Sequence, residues 1–327
     1  MKYHFISKII GIGLLSLLVF LNASSPALVS QETGYFETRA SYLIQDDQML
    51  IEFELVNHYD TTKQLQFGSG QQFEVVITNE AGDEVYRYSD GKMFTMALVL
   101  RDIKPGESLK WQDKWDLTDQ DGQKLSSGKY TVEVQVLVIP DDSSAAIPAE
   151  QLTAALEINL AEGIIKETAE QVIRALRDQD ADRISAFVHP EKGVRFTPYT
   201  FVSLDRDLVF NQEGIKNFFT DDKEYLWGYF DGTGWEIRMT PAEYYQRFVY
   251  SHDFADAEQV GYNEVLSFGN MLENQFEVYE DPIIVEYYFS GFNPDYAGMD
   301  WKSLRLVFER YENSWKLVGI IHNEWTI

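Results

Sequence analysis

Apolar and polar positions alternate with a period of two over much of residues 37–139. Ile51, Phe53 and Leu55 interleave with Glu52 and Glu54, and Phe73, Val75 and Ile77 repeat the pattern. Tyr130, Val132, Val134 and Val136 alternate with Thr131, Glu133 and Gln135. Such alternation marks strands with one wet face. Turn residues separate the runs at Gly68–Gly70, Asn79–Asp83, Ser89–Lys92, Pro105–Gly106, Asp121–Gly122 and Ser127–Gly128. Roughly six to eight short strands in about 100 residues predict an all-β, immunoglobulin-like sandwich over 37–139.

The period then changes. Pro140–Pro148 (PDDSSAAIP) has the composition of a linker, and 140–160 reads as the connection, its second half either a last strand or a link. Ile165, Ala169, Val172, Ile173 and Leu176 fall at helical spacing, and Asp180 caps a second helix holding Ile184, Phe187 and Val188. Thr240-Pro241-Ala242-Glu243 is a capping box that opens a third helix through Tyr250. Three strand-like runs come after it, Ile283–Phe289, Ser303–Tyr311 and Trp315–Trp325. Helices followed by an antiparallel meander predict an α+β domain over 161–327. This order of elements resembles the NTF2-like cone.

Composition narrows the partners. The 327 residues carry a formal charge of −26 and are 45% hydrophobic. An acidic surface repels phosphate backbones and anionic headgroups, so nucleic acid and anionic membranes are excluded as expected partners. A cationic protein, a divalent cation or a neutral ligand is left. Lys2 and Lys8 precede the apolar run Ile9–Leu21, which is followed by the small, polar Asn22–Ser30. That pattern predicts a signal peptide over residues 1–30, cleaved after Ala27 or Ser30, and no stable membrane insertion afterwards. The expected location is secreted or in the cell envelope. The chain has no cysteine, which excludes a lipoprotein anchor, disulfides and thiolate metal sites.

Within Leu50–Val138 the order of particular residues is more specific than the alternation. The strand FELVN ends in Asn57, and Phe67-Gly68-Ser69-Gly70-Gln71-Gln72-Phe73 comes next. Val85-Tyr86-Arg87, Phe94 with Ala97, Lys104-Pro105-Gly106-Glu107, Trp115-Asp116 and Gly128-Lys129-Tyr130 complete the set. These residues resemble the BsuPI-type intracellular proteinase inhibitor domain. The resemblance implies a small immunoglobulin-like β domain and, as an activity, proteinase inhibition. The chain departs from the pattern in its apparent export signal and in the larger second half. Gly68 and Gly70 are expected to supply turn conformations. Phe73, Phe94, Trp111, Trp115 and Tyr130 are core candidates, and Pro105-Gly106 fits a type II turn. If the module inhibits, the loop Arg87, Tyr88, Ser89, Asp90, Gly91 and Lys92 is the first candidate.

Other chemistry is thinner. Asp116, Asp119 and Asp121 before Gly122 miss the calcium-loop spacing, because Leu117 and Gly128 fall where carboxylates are required. His189, His252 and His322 show no metal spacing, and neither metal nor cofactor is expected. His322 is out of phase with Trp315, Leu317, Gly319 and Ile321, so it is expected on the opposite face of its strand. There it meets Glu324, Arg305 and Tyr287 as a weak catalytic constellation for acid–base work. Arg195, Tyr199, Trp227 and Trp235 are candidates for an aromatic pocket. Gly193–Tyr199 (GVRFTPY) and the ending LVGIIHNEWTI resemble stretches of uncharacterised exported bacterial proteins, a resemblance that implies no activity.

The leading expectation is an exported, non-catalytic binding protein whose partner is a protease or another envelope protein. A proteinase inhibitor acting through the sandwich is the first alternative, and an enzyme with an acid–base pocket in the second half is the next.

Overall fold

Strong alternation at 48–57, 73–79 and 129–136 produces the strands that carry the first core. The computed structural model describes residues 34–45, 48–140 and 146–326. The apolar run Ile9–Leu21, read as a leader, lies outside them. The strands of the first half are β1 (Phe36–Gln45), β2 (Gln48–Asn57), β3 (Lys63–Phe67), β4 (Phe73–Asn79), β5 (Glu84–Arg87), β6 (Val99–Ile103), β7 (Ser108–Trp115), β8 (Lys129–Val136), β9 (Val138–Ile139) and β10 (Thr153–Asn159). They form antiparallel sheets in the orders β1-β2-β7, β10-β8-β4-β5 and β6-β3-β9.

The first two sheets pack face to face. Met49, Ile51, Phe53 and Trp115 from one meet Phe73, Val75, Ile77, Tyr130, Val132, Val134 and Ile158 from the other. The alternating polar positions, Glu52 and Glu54 among them, stay on the wet face. A second cluster, Phe36, Leu55, Leu65, Phe67, Ile103 and Val136, fills the end bounded by β3 and β6. Residues 153–159 pair with β8 (Ile158 opposite Tyr130), so the connection ends before residue 160.

The motif residues acquire physical roles here. Asn57 is fully buried, yet its amide donates to Thr61 and Ile103 carbonyls and accepts from the Tyr59 N–H. A satisfied buried amide fixes the turn after β2 without a desolvation penalty. Gly106 has φ +74 and the Glu107 N–H donates to the Lys104 carbonyl, as a type II turn requires. Gly68 and Gly70, in contrast, do not have positive φ. A Cβ on Gly70 would sit 2.5 Å from Thr95 Oγ1. That glycine is needed for close approach of two segments rather than for a turn.

The second half is built on the helix Leu160–Arg177, capped by Asn159 Oδ1 on the Glu162 N–H, with Ile165, Ala169, Val172, Ile173 and Leu176 buried. Asp180 caps Ala181–Phe187 through the Arg183 N–H. The remaining strands are β11 (Val194–Thr197), β12 (Leu208–Phe210), β13 (Tyr225–Tyr229), β14 (Glu236–Met239), β15 (Gln259–Tyr262), β16 (Ile283–Phe289), β17 (Lys302–Tyr311) and β18 (Ser314–Glu324). They give a six-stranded sheet in the order β12-β11-β18-β17-β16-β15 and the hairpin β13-β14. Its pairs are antiparallel except β11 with β18. The capping box at Thr240–Glu243 is present, but the α-helix it opens covers only Pro241–Tyr244 and continues as a π turn, Tyr245–Val249.

Helices and the aromatic segment cover one face of this sheet, where Ile283, Val285, Tyr287, Leu304, Leu306, Phe308, Leu317 and Ile320 are buried. The opposite face carries Ile284, Val307, Val318 and Ile321. Among the described residues no helix is long and apolar enough to cross a membrane.

Candidate functional site

Two regions hold the residues singled out from sequence: the connection between β5 and β6, and the sheet face under Pro241–Val249.

The turn after β5 is tied down on every side. Arg87 donates to both Glu84 carboxylate oxygens and lies 3.8 Å from Glu74. Glu74 also accepts from the Ser89 N–H at 3.0 Å. Tyr88 donates its N–H to the Val75 carbonyl and packs its ring on Phe73, centroids 4.3 Å apart. Lys92 lays its ammonium 3.4 Å from the centre of the Tyr88 ring and 3.9 Å from Asp113. Asp113 also accepts from Tyr86, whose hydroxyl is pushed well above its usual range by burial and by that carboxylate. Of the six candidate loop residues, Asp90, Gly91 and Lys92 are exposed, while Arg87, Tyr88 and Ser89 are half-buried anchors.

The seven residues Lys92–Leu98 (KMFTMAL) belong to no strand. Met93 is 99% exposed, Met96 92%, and Leu98 and Leu100 at least half. Two contacts hold the backbone between them. The Gly70 N–H donates to the Thr95 carbonyl at 2.8 Å, and half-buried Phe94 packs 5.9 Å from the Tyr88 ring. Val99 then enters β6 opposite Phe67. Single exposed apolar side chains are ordinary, whereas several on one short stretch are less common. The segment carries a chemical signal, mostly apolar residues without alternation shortly after the Gly91 turn, that strand-pattern reading passes over.

In the second half the residues grouped from sequence separate. Between Val307 and Phe308 the register with β18 shifts, so that Val318 is an extra residue. This bulge turns His322 onto the helix-covered face, opposite Leu304, instead of the face away from Leu317. Tyr287, also opposite Leu304, shares that face. Arg305 points to the other face, where it is 1% exposed beside Glu286, Glu273 and Ser267. The four side chains therefore do not converge on one pocket.

His322 has no side-chain exposure, lies edge-on to Phe248 and stands 3.5 Å from Glu324. Burial holds its ring below the usual histidine range. Burial pushes Glu324 upward, but His322, Arg247 and Lys302 outweigh this and keep its carboxyl well below the usual carboxylate range. The imidazole is sealed from solvent, and the partly exposed carboxylate beside it is occupied by Arg247 and Lys302, so the pair is not set up to pass a proton to a bound substrate.

The aromatic candidates scatter likewise. Trp227 is fully buried, stacked 3.8 Å on Tyr244. Trp235 stands 75% exposed at the end of the β13–β14 connection. Tyr199 packs on Phe248 and its hydroxyl accepts from the Asp231 N–H. Arg195 spends its guanidinium on the carbonyls of Ser203, Leu204 and Asp207. Asp119 caps its own turn, accepting from the Asp121 and Gln123 N–H groups. Among the described residues no group of acidic and histidine side chains is arranged to hold a metal.

Residues 36–140 match the model of the BsuPI family, described as an intracellular proteinase inhibitor. The match contains the whole Arg87–Leu98 connection. It also overturns the expectation of a secreted or envelope location, since the family is an intracellular one. No curated protein matches the chain. Among solved structures, β-glucosidase 3B from Thermotoga neapolitana is 15% identical with a TM-score of 0.23, covering 39% of this chain and 16% of that one. A CARDB domain from Pyrococcus furiosus is 10% identical with a TM-score of 0.22, covering 39% of this chain and 92% of that one. A β-glucosidase from Listeria innocua is 12% identical with a TM-score of 0.22, covering 38% and 16%. Likenesses this slight bear on neither fold nor activity.

Proposed function

We propose that this protein is a proteinase inhibitor that binds its target through residues 93–98 of the β-sandwich. The observation that carries the reading is the pinned, exposed apolar segment itself, lying within the residues that match the inhibitor family. An inhibitor must present a peptide to a protease cleft without ordering it first. Each rotamer-rich side chain immobilised on binding costs about 0.5–1.5 kcal/mol, and a backbone held in advance reduces that cost. Here the Gly70–Thr95 hydrogen bond and the Phe94, Tyr88 and Lys92 contacts do the holding. The two face-to-face antiparallel sheets support an immunoglobulin-like class for the scaffold. In this reading the six residues first chosen, 87–92, are the base of the inhibitory segment, and its contact surface begins where they end.

The test replaces residues 93–98 with a Gly-Ser run of equal length in the full chain. The replacement is expected to abolish inhibition of subtilisin-type endopeptidases while the far-ultraviolet spectrum and cooperative thermal unfolding are kept, with a small drop in midpoint from the lost Phe94–Tyr88 contact. Equal inhibition by the two proteins overturns the reading.

A further inference from the structure

Met93 and Met96 are both nearly free of protein contact, yet their neighbours differ. Met93 stands between Lys92 and Phe94, and both are committed to Tyr88: the ammonium over its ring, the phenyl ring 5.9 Å from it. The Lys92 N–H is also spent on the Ser89 carbonyl. A protease cleft closing over Met93 would have to break these contacts. Met96 stands between Thr95 and Ala97, which are small and exposed, and Leu98 beyond them is 59% exposed. Thr95 is held from behind, through its carbonyl and with its hydroxyl turned against Gly70. Three consecutive residues, 96–98, thus offer side chains to a partner while the Thr95 backbone hydrogen bond and the entry into β6 fix the two ends.

The bulk of Met96 also has no job in the fold. Cores take methionine as an adaptable filler, as fully buried Met49 does here, whereas a 92% exposed methionine contributes nothing to packing. Its unbranched apolar side chain suits a deep apolar slot and mismatches a slot with a carboxylate at its base. We infer that Met96 is the specificity-determining side chain, inserted in the primary pocket of an endopeptidase that cleaves after large apolar residues. This rests on the inhibitory reading above and adds to it the residue and the class of protease. The flanking Thr95 and Ala97 let the partner's backbone approach on both sides, and Leu98 occupies the next subsite.

The experiment measures inhibition constants of the full chain against subtilisin, chymotrypsin and trypsin, for the native sequence and for M96L, M96G, M96K and M93G. Native protein is expected to inhibit subtilisin or chymotrypsin and to spare trypsin. M96L keeps inhibition within about threefold, and M96G weakens it about 100-fold, the range a lost apolar pocket contact gives. M93G changes it less than about threefold by the same measure. M96K transfers inhibition to trypsin, a gain that no folding defect can imitate. Inhibition unchanged by M96G, or greater loss from M93G than from M96G, overturns the assignment while leaving the inhibitory reading intact. Absence of inhibition of all three enzymes by the native protein overturns both.

Discussion

Single residues carry most of the argument for a binding segment, and Gly70 is the one that can be tested without touching the segment. Its N–H holds the Thr95 carbonyl, and a methyl group in place of its hydrogen would lie 2.5 Å from Thr95 Oγ1. Contacts this short force a shift of a few tenths of an ångström or more. G70A is therefore expected to weaken proteinase inhibition about tenfold while lowering stability by only about 1 kcal/mol. The double variant G70A/T95A removes the clashing hydroxyl and is expected to regain most of the inhibition. Inhibition assays beside thermal melts check both; loss that T95A does not rescue would mean that the glycine acts elsewhere. From sequence, Gly68 and Gly70 read as turn formers because glycine ordinarily marks positive φ. The distinction between turn and close approach depends on a partner 25 residues away, which no local pattern records. The exposed methionines were invisible for a similar reason: an apolar run reads as core until burial is known.

At the scale of elements, the strands with strong two-residue alternation and the helix with Ile165, Ala169 and Leu176 on one face are where the periodicity puts them. The short strands β11, β12 and β13 are three to five residues long and are ordered by their neighbours, so their own pattern is silent. The bulge at Val318 shows what a single inserted residue does: it exchanges the faces of everything after it and buries His322 where alternation points it outward. That burial has a pH signature. Unfolded carboxyls take a proton near about 4.3, whereas folded Glu324, held low, stays ionised. Its contribution to stability is thus full above that pH and is lost as pH falls toward the folded value. His322 is also held low, so below about 6.5 the unfolded chain binds a proton that the folded ring refuses, and stability falls there too. E324Q is expected to cost about 2 kcal/mol at pH 7, because Arg247 and Lys302 lose their shared partner, with the gap from wild type narrowing below about pH 4. Urea unfolding at a series of pH values measures both effects, and curves that run parallel across the whole range would contradict them.

For the whole molecule, the described residues from Gly34 onward form one compact unit despite the change of pattern near residue 160. Ile164 packs against the sandwich core and the core of the second half at once. The Leu160 N–H donates to the Gly128 carbonyl, Asn159 donates to the Tyr262 carbonyl, and Lys129 lies 3.7 Å from Glu264. The second half of the chain therefore braces the sandwich, which the linker-like composition of 140–148 does not reveal. The buried Arg305 was illegible for a related reason: a charged residue at an alternating position reads as solvated, and only the covering segment that brings Ser267 and Glu273 over it makes it interior. The brace leaves Met93, Met96 and Leu98 exposed, the side chains proposed to meet the partner. The most direct measurement is hydrogen exchange of the full chain alone and with an equimolar subtilisin-type endopeptidase whose nucleophile has been replaced. New protection is predicted over 93–100 and at Gly70, with the His322 face unchanged. Protection confined to other surfaces, or no complex at micromolar concentration, would contradict the account.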